Sequence, residues 1–338
     1  RIIKEENDFL KSRSGVDFNI VAVSAKSKDK QRNIDLSGVK WVEDCRDIAN
    51  INDIDVVVEL VGGSEGAARE LVEKSIINGK SVITANKALV AIHGSNIGEL
   101  VSKHDVMFGY EAAVAGGIPI IKTLREGLAS NKINRIYGIL NGTCNYILSV
   151  MRQTGQEFED ILADAQRLGY AEADPSFDVD GIDAAHKLAI LAAIAFQTPI
   201  DFNSVHVQGI RFISPTDIDF ATELGYRIKL LGIAELLENG VQQRVRPCLV
   251  SVNTPIAQVE DVFNAVAAEA DGLGTSLSYG RGAGAGPTSS AVLSDLLDFA
   301  NNRRVSFLGG NQSYLKEKSA RKLQTLLGSY YLRLQVYD

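Results

Sequence analysis

Apolar runs separated by amphipathic stretches make up residues 1–118. The apolar runs predict strands at 18–23, 55–61, 81–84 and 106–110. Apolar residues at helical spacing predict an opening helix, RIIKEENDFLKS, and further helices at about 65–78 and 96–103. Strands that alternate with helices in this way predict a Rossmann-like parallel sheet with crossover helices. Such sheets bind ligands at the carboxyl ends of their strands.

The pattern changes after a Gly-Pro turn at 117–119. Helices are predicted at about 120–128, 157–168 and 183–197, and strands at about 134–140, 227–235 and 245–252. This mixture predicts an α+β domain with an antiparallel sheet, so that the whole chain belongs to the α/β class. The glycine-rich run Gly282–Thr288 opens a final helix, 289–300, which we expect to pack back on the first domain.

The predicted helix that starts at Asp183 carries a lysine where solvation alone would not place one. Its sequence, DAAHKLAILAAIAF, is apolar on nearly every side, and such helices are usually buried. Lysine is almost never fully buried unless it is paired, and Asp183 lies one helical turn before Lys187. An ammonium held by carboxylates beside an apolar wall is a candidate proton donor or oxyanion stabiliser. A structural ion pair at a helix start remains the alternative.

Composition narrows the function classes. A net charge of -7 and the absence of a basic block argue against nucleic acid as the main partner. No apolar run is long enough to span a bilayer, and nothing resembles a signal peptide. Three widely spaced cysteines fit a reducing compartment, and the four histidines lack metal-ligand spacing. We therefore expect a cytoplasmic protein without a membrane or nucleic-acid partner.

Four motifs in this order resemble those of the homoserine dehydrogenase family across nearly the whole chain. They are Thr84-Ala85-Asn86-Lys87, Asn141-Gly142-Thr143-Cys144-Asn145-Tyr146, the acidic stretch Glu172 to Asp183 followed by Lys187, and Gly282 to Thr288. The resemblance implies reversible, NAD(P)-dependent reduction of L-aspartate 4-semialdehyde to L-homoserine, in threonine, methionine and isoleucine biosynthesis. It also implies a homodimer or homotetramer, with threonine as a feedback inhibitor of the full-length protein.

The resemblance assigns roles to individual residues. It implies catalytic lysines at Lys187 and Lys87 and substrate-binding residues at Glu172, Asp178, Asp183, Gly142 and Thr143. It implies cofactor contacts at Lys87, Gly169, Gly284 and Gly63. It implies a structural sodium ion held, largely through backbone carbonyls, by Glu111, Val114, Gly116 and Ile118.

The ends of the chain depart from the family pattern. The first strand and its G-x-G-x-x-G loop are absent, and the closing run YYLRLQVYD resembles the first strand of an ACT domain. We therefore expect a fragment whose first sheet has an empty central position, with weak cofactor binding and low stability. The predicted domains are a nucleotide-binding domain (1–118 with 287–302), a catalytic and dimerisation domain (119–286), a linker (303–328) and the truncated ACT strand (329–338).

Two features leave an alternative open. The basic loop after the first predicted strand holds Lys26, Lys28, Lys30 and Arg32 and favours NADP, because basic residues there bind the ribose phosphate. The same loop is also typical of a solvated charged surface.

Cys144 raises a rival function, that of a cysteine-dependent semialdehyde dehydrogenase. A nucleophilic cysteine needs a base or a cation beside it to lower its pKa, and His186 is the one obvious candidate. Because His186 points about a hundred degrees away from Lys187 on the same helix, we interpret Cys144 as structural. A non-catalytic amino-acid-binding regulatory protein is the other alternative.

Overall fold

The computed structural model describes residues 1–30, 32, 34–238, 240–310, 329–334 and 336. Most of the predicted linker, 311–328, therefore lies outside the described residues. Within the described residues, none of the helices is long and apolar enough to cross a membrane.

The first part of the chain holds short parallel strands and the helices between them. The helices are α1 (Ile2–Glu5), α2 (Asn7–Ser14), α3 (Ala67–Ile77) and α4 (Lys87–His104). The strands are β1 (Ala22–Val23), β2 (Lys40–Trp41), β3 (Val56–Glu59), β4 (Ser81–Thr84) and β5 (Phe108–Gly109). The predicted strand 81–84 matches β4, whereas the opening helix is split into α1 and α2.

These strands form two separate parallel sheets within the described residues. One sheet pairs β1 with β2, and the other has the order β3-β4-β5. The parallel sheet of the predicted Rossmann-like domain is therefore confirmed. Within the described residues, no pairing joins β1 to β3. Helix α3 packs against β3 and β4, α4 packs against α3, and the two helices bury Leu71, Val72 and Leu89.

The second part of the chain forms one larger sheet with helices against it. The helices are α5 (Ile120–Lys122), α6 (Gly142–Thr154), α7 (Phe158–Arg167), α8 (Ser176–Val179), α9 (Ile182–Phe196) and α10 (Pro215–Glu223). The strands are β6 (Ile133–Ile139), β7 (His206–Val207), β8 (Tyr226–Leu237), β9 (Gly240–Ser251), β10 (Phe263–Ala270) and β11 (Gly274–Arg281). The described strands follow the order β11-β10-β6-β8-β9-β7, antiparallel except for the β7–β9 pair.

Helix α9 lies in the middle of this part, as its apolar sequence predicts. Thirteen of its residues are buried, including Asp183 and Lys187. It packs against β6, β8 and β9, and its alanines allow close approach to the sheet. After β11 the chain returns through the glycine-rich run into α11 (Ala285–Ala300), which packs on α2 and on the segment Glu111–Ala113. The predicted return of this helix to the first domain is confirmed.

Two predictions about local structure are wrong. The motif at 141–146, where no helix is predicted, forms the start of α6, because the Asn141 side chain caps the helix by accepting a hydrogen bond from Cys144 N (2.7 Å). The predicted terminal strand is not a strand in its described part. Instead, Tyr331 Oη donates to Asp217 Oδ1 (3.0 Å) and Arg333 Nη1 donates to Ser214 Oγ (2.8 Å), both at the start of α10.

Candidate active site

The buried ammonium of Lys187 has two fixed partners. Its Nζ donates to Asp183 Oδ2 (2.8 Å), one helical turn away, and to the carbonyl of Leu140 (2.8 Å). Lys187 is 8% exposed and Asp183 is 3% exposed. An ammonium carries three N–H donors, so these two bonds leave the third for another acceptor.

Lys87 brings a second cation to the same carboxylate. Its Nζ lies 3.0 Å from Asp183 Oδ1 and 5.5 Å from the centre of the Phe177 ring, over its face. Lys87 is the first residue of α4, whose N-terminus is capped by the Asn86 side chain, which accepts a hydrogen bond from Leu89 N. The next helix was predicted to begin only at about residue 96, but Lys87 is held at a helix start shortly after β4. The two predicted catalytic lysines therefore meet on opposite oxygens of Asp183.

Asn141 links Asp183 to the second predicted carboxylate. Its Nδ2 donates to Asp178 Oδ1 (2.8 Å) and to Asp183 Oδ2 (2.8 Å). Thr143 Oγ1 donates to the carbonyl of Tyr170 (2.7 Å) and lies 3.5 Å from Asp178 Oδ2. The start of α6 is thus joined to both carboxylates, and the predicted residues Gly142, Thr143, Asp178 and Asp183 lie together.

The surroundings of this cluster shift the pKa values of its two carboxylates in opposite directions. Burial acts to raise the pKa of Asp183, but the ammonium groups of Lys187 and Lys87 outweigh it and lower that pKa to about 2. Burial and the nearby Asp183 charge raise the pKa of Asp178. Asp183 is therefore a fixed anion between two cations, and Asp178 is the more easily protonated of the two carboxylates.

Cys144 lacks the surroundings of a nucleophile. The residue is fully buried, and Sγ donates to the carbonyl of Asp178 (3.2 Å). Burial, together with the charges of Asp178 and Asp183, raises the pKa of the thiol well above its ordinary value. His186 lies against Phe177 and Phe202, and burial lowers its pKa to about 4. The imidazole is therefore neutral at physiological pH, and the charge of Lys187, which lowers the pKa of the thiol, is outweighed by burial and the carboxylates.

The ends of β3 and β4 form one polar edge. Glu59 Oε1 accepts hydrogen bonds from Val61 N (2.7 Å) and Gly62 N (3.0 Å), and Thr84 Oγ1 donates to Glu59 Oε2 (2.5 Å). Asn86 Nδ2 donates to the carbonyl of Gly63 (2.7 Å), a glycine with φ of 81°. This edge places Gly63 beside the residue that caps the helix of Lys87.

Three predicted residues stand apart from the cluster. Glu172 is exposed, and no contact between its side chain and the cluster is present in the described residues; its carbonyl accepts a hydrogen bond from Gln166 Nε2 (3.0 Å). Gly169 follows α7 with φ of 76°, next to Tyr170, whose carbonyl binds Thr143. Gly284 is the N-cap of α11, on the far side of the glycine-rich run.

The four residues predicted to hold sodium form a buried turn. The Glu111 carboxylate accepts hydrogen bonds from Ile121 N (2.8 Å) and Lys122 N (2.9 Å), and burial raises its pKa to about 7. Val114 and Ile118 are buried, and Gly116 N donates to the carbonyl of Gly282 (2.9 Å). The side chain of Glu111 is thus engaged with backbone, which leaves carbonyl oxygens as the cation ligands that this turn can offer.

Sequence reasoning missed two residues of the cluster. Asn141 is the first residue of the motif at 141–146. An asparagine before a helical segment is a typical N-cap, so this residue could have revealed both the start of α6 and its own capping role. Phe177 lies in the acidic stretch beneath Lys87, but no sequence signal joins an exposed ring to a lysine ninety positions away.

Comparison with known proteins decides the family. The family model described as "Homoserine dehydrogenase" matches residues 119–297, and the one described as "Homoserine dehydrogenase, NAD binding domain" matches residues 3–111. A homoserine dehydrogenase from Neisseria gonorrhoeae is 45% identical over 343 aligned positions, which cover 100% of this chain and 78% of that protein. The chain belongs to the homoserine dehydrogenase family.

Solved structures agree with this assignment. The crystal structure of a homoserine dehydrogenase from Thiobacillus denitrificans superposes with a TM-score of 0.89 at 45% identity, covering 94% of this chain and 75% of that one. A hyperthermophilic archaeal homoserine dehydrogenase in complex with NADPH gives a TM-score of 0.69 at 27% identity, covering 80% and 78%. The predicted family, the Rossmann-type fold class and the enzyme class, an NAD(P)-dependent oxidoreductase acting on a CH–OH group, are confirmed.

Proposed function

We propose that this chain interconverts L-homoserine and L-aspartate 4-semialdehyde at the Lys187–Asp183–Lys87 cluster, as a step of threonine, methionine and isoleucine biosynthesis. The observation that carries the proposal is the buried Lys187 ammonium, which has two acceptors among the described residues and a third N–H left for a substrate, with a second cation beside it. A carbonyl that is reduced develops negative charge on its oxygen and needs a cation or an acid there.

Lys187 acts as the proton donor in reduction and as the proton acceptor in oxidation. Its two bonds, to Asp183 and to the Leu140 carbonyl, fix the direction of the remaining N–H. Lys87 neutralises the other oxygen of Asp183 and adds positive potential at the reacting oxygen. Asp183 orients both ammonium groups, because its lowered pKa keeps it charged throughout the working range.

The amino acid's own charges are divided between two subsites. Asp178 and Glu172 bind the substrate ammonium. Asp178 is supported by its position against the start of α6. Glu172 is supported by its exposure on the same acidic stretch of the chain. Gly142 and Thr143 bind the carboxylate, because backbone N–H groups in the first turn of a helix lack acceptors and attract anions.

The residues at the edge of the β3-β4-β5 sheet suit a nicotinamide cofactor, which supplies or accepts the hydride. Gly63, Lys87 and Gly284 bind it; Gly63 adopts a left-handed conformation with no atom near its missing Cβ, so a ligand can approach the backbone closely. Gly169 contacts it from the end of α7. In the same view Glu111, Val114, Gly116 and Ile118 hold a structural sodium ion through their carbonyl oxygens.

NADP is the preferred cofactor in this proposal. The loop after β1 presents Lys26, Lys28, Lys30 and Arg32, and Lys28 Nζ is 3.9 Å from Glu43 with both side chains largely exposed. Replacement of Lys26 and Lys28 by Ala is expected to raise KM for NADP about tenfold and to spare KM for NAD, because only NADP carries the ribose phosphate. Steady-state kinetics with both cofactors measure this, and equal shifts for the two would return the loop to a solvated surface.

We also propose a cytoplasmic homodimer or homotetramer formed by the catalytic domain, 119–286. The described edge strand β11 exposes Leu277 and Tyr279, which supports a subunit contact at this end of the sheet. Residues 329–338 as part of an ACT domain, and threonine as a feedback inhibitor of the full-length protein, remain proposals supported by the family resemblance. Light scattering of the purified protein and a threonine titration of its activity test them.

The decisive experiment is turnover of L-homoserine with NADP by the purified protein, followed through the absorbance of the reduced cofactor. Formation of aspartate semialdehyde, trapped as a hydrazone, supports the proposal. Absence of turnover in both directions by a folded protein would contradict it, and further oxidation of the aldehyde to an acid would favour the cysteine-dependent rival.

A further inference from the structure

Asn264 carries a buried amide that the described chain leaves without a full set of partners. The residue is the second of β10 and only 2% exposed. Its Nδ2 has no hydrogen-bond partner among the described residues. A buried donor without an acceptor is unfavourable, and native proteins usually satisfy such groups with protein, water or a ligand.

The amide lies between two of the sequence motifs. A Cβ built on Gly282 would stand 2.2 Å from Asn264 Cγ and 2.5 Å from Nδ2, so only glycine fits there. A Cβ built on Gly142 would stand 3.5 Å from Asn264 Oδ1 and 2.7 Å from the carbonyl of Val262. The two glycines, one opening α6 and one opening the run before α11, therefore both lie against the Asn264 side chain.

The loop before Asn264 is fixed by α6 itself. Asn145 Nδ2 donates to three carbonyls of this loop, those of Val259 (3.2 Å), Asp261 (2.9 Å) and Phe263 (3.3 Å). Asn145 Oδ1 in turn accepts from the buried Lys229 Nζ (3.0 Å). Asn264 is thereby held in position at the start of α6 before any ligand arrives, the arrangement that makes binding groups effective.

The start of α6 offers donors of its own. In the first turn, Cys144 N and Asn145 N are bonded to Asn141, whereas the described chain supplies no acceptor to Gly142 N or Thr143 N. An α-helix of thirteen residues also adds a partial positive charge at this end. The backbone donors that lack an acceptor in the described chain thus lie next to the Asn264 side chain, whose Oδ1 is the atom on the side of Gly142 in the structure.

We propose that Asn264 is a substrate-binding residue, which donates a hydrogen bond to the α-carboxylate of the amino-acid substrate seated on Gly142 N and Thr143 N. Half a turn about the Cβ–Cγ bond exchanges Nδ2 with Oδ1 without a change of shape, so the amide can turn its donor toward Gly142. The carboxylate belongs at this side because Asp178 and Asp183 occupy the other and attract the substrate ammonium. This inference rests on the proposed function and adds a residue to its substrate site.

The test compares Asn264→Ala and Asn264→Asp with the unaltered protein. We expect Ala to raise KM for L-homoserine about tenfold to a hundredfold, the range for a lost hydrogen bond to a charged group, with KM for NADP within about threefold. Asp keeps the shape but opposes the carboxylate with like charge, so KM for homoserine should rise at least as much. Asn134→Ala, which removes an asparagine of β6 that bonds the exposed Asp271, is the matched control and should change neither constant.

A second readout separates binding from a merely structural role. If Asn264 binds the carboxylate, the melting temperature of the Ala variant without ligands should stay within a few degrees of the parent, whereas stabilisation by added homoserine should be lost. The Ala and parent proteins should also turn over aminopropanol, the analogue without a carboxylate, at similar kcat/KM.

Three results would overturn the inference: an unchanged KM for homoserine, a rise in KM for NADP alone, or equal loss on homoserine and aminopropanol with a lowered ligand-free melting temperature. The first and third would make Asn264 a packing residue, and the second would assign it to the cofactor. Parent protein without activity on homoserine would instead contradict the proposed function itself, and the inference would fail with it.

Discussion

At the scale of single residues, Asp183 organises the proposed chemistry, because both lysines and Asn141 meet on its two oxygens. A buried carboxylate shared by two ammonium groups is stable only while both partners stay in place. The same arrangement gives the two lysines different surroundings. Lys187 is enclosed by α9 and a strand-end carbonyl, while Lys87 is a third exposed and lies over an aromatic ring. The enclosed lysine is therefore the better placed to deliver a proton in one direction.

Lys187→Ala tests the proton donor. We expect kcat to fall by about two to four orders of magnitude, the usual range for losing a general acid, with a smaller change in KM. Steady-state kinetics measure the effect, and circular dichroism checks that the variant folds. Lys187→Arg keeps a positive charge beside Asp183, but a guanidinium cannot release a proton. This variant should therefore be nearly as inactive as Lys187→Ala. A kcat within a few-fold of the parent in either variant would show that Lys187 is a structural ion-pair residue.

Cys144→Ser separates the proposed chemistry from that of a nucleophilic cysteine. We expect most of the activity to remain, because the raised pKa of the thiol and its bond to the Asp178 carbonyl describe a buried packing residue. Iodoacetamide should likewise fail to inactivate the folded parent through Cys144. Loss of nearly all turnover in the serine variant, with an unchanged circular dichroism spectrum, would restore the cysteine-dependent reading.

At the scale of elements, periodicity predicted α7, α9, α11 and the central strands, but it missed α6, the first half of α4 and the short or glycine-rich elements. Helix α9 and strand β4 were predicted within a residue or two, since an all-apolar helix and a compact β-branched run are strong signals. Strands β10 and β11 were missed: FNAVAAEA is rich in alanine, and GTSLSYGR is an exposed edge strand. Their pairing is decided by neighbouring strands rather than by local propensity.

The residues of the site likewise fall into those that the sequence could reveal and those that it could not. Lys187 with Asp183 could be found from sequence because the pair lies one turn apart on one helix. The contacts of Lys87, Asn141 and Asn264 depend on segments far apart in the chain, so motifs could nominate the first two but not state what they touch. Asn264 gave no signal at all, because a lone polar residue in an apolar run is common.

Gly209 controls where the acidic segment of the site lies. A Cβ built there would stand 2.2 Å from the carbonyl of Val179 and 2.5 Å from the Asp180 Cα, both backbone atoms that cannot move without α8. Gly209→Ala should therefore lower the free energy of unfolding by about 2–4 kcal/mol and reduce kcat by displacing Asp178. Gly127→Ala, where nothing lies within 4 Å of the new Cβ, is the control and should be neutral. Urea unfolding compares the two, and equal effects would show that α8 yields to the added methyl group.

At the scale of the whole molecule, a buried charged cluster ties the two parts together. Lys122, the last residue of α5, lies 2.5 Å from Asp298 and 3.6 Å from Asp295, and its Nζ donates to Ser294 Oγ (2.6 Å); all three partners are on α11. Asp295 in turn accepts from Glu111 N (3.0 Å), at the end of the β3-β4-β5 domain. One lysine thus balances two carboxylates where three segments of the chain converge, next to the proposed sodium turn.

The buried carboxylate of Asp295 makes the stability of this junction depend on pH. Burial already raises the pKa of Asp295, and the Lys122 charge is the main influence that opposes it. Lys122→Met leaves the buried carboxylate without its cation, which costs about 3–5 kcal/mol when the group is charged. A carboxyl whose folded pKa is raised above its unfolded value supports folding at low pH and loses that contribution as the pH rises through the folded pKa. The melting temperature of the variant should therefore fall further below the parent at pH 8 than at pH 5, as calorimetry at the two pH values can measure. Lys103→Met, at an exposed position of α4, is the control, and its melting temperature should stay close to that of the parent at either pH. A deficit that is the same at both pH values would mean that Lys122 stabilises the junction through its packing and its bond to Ser294, and not by charge.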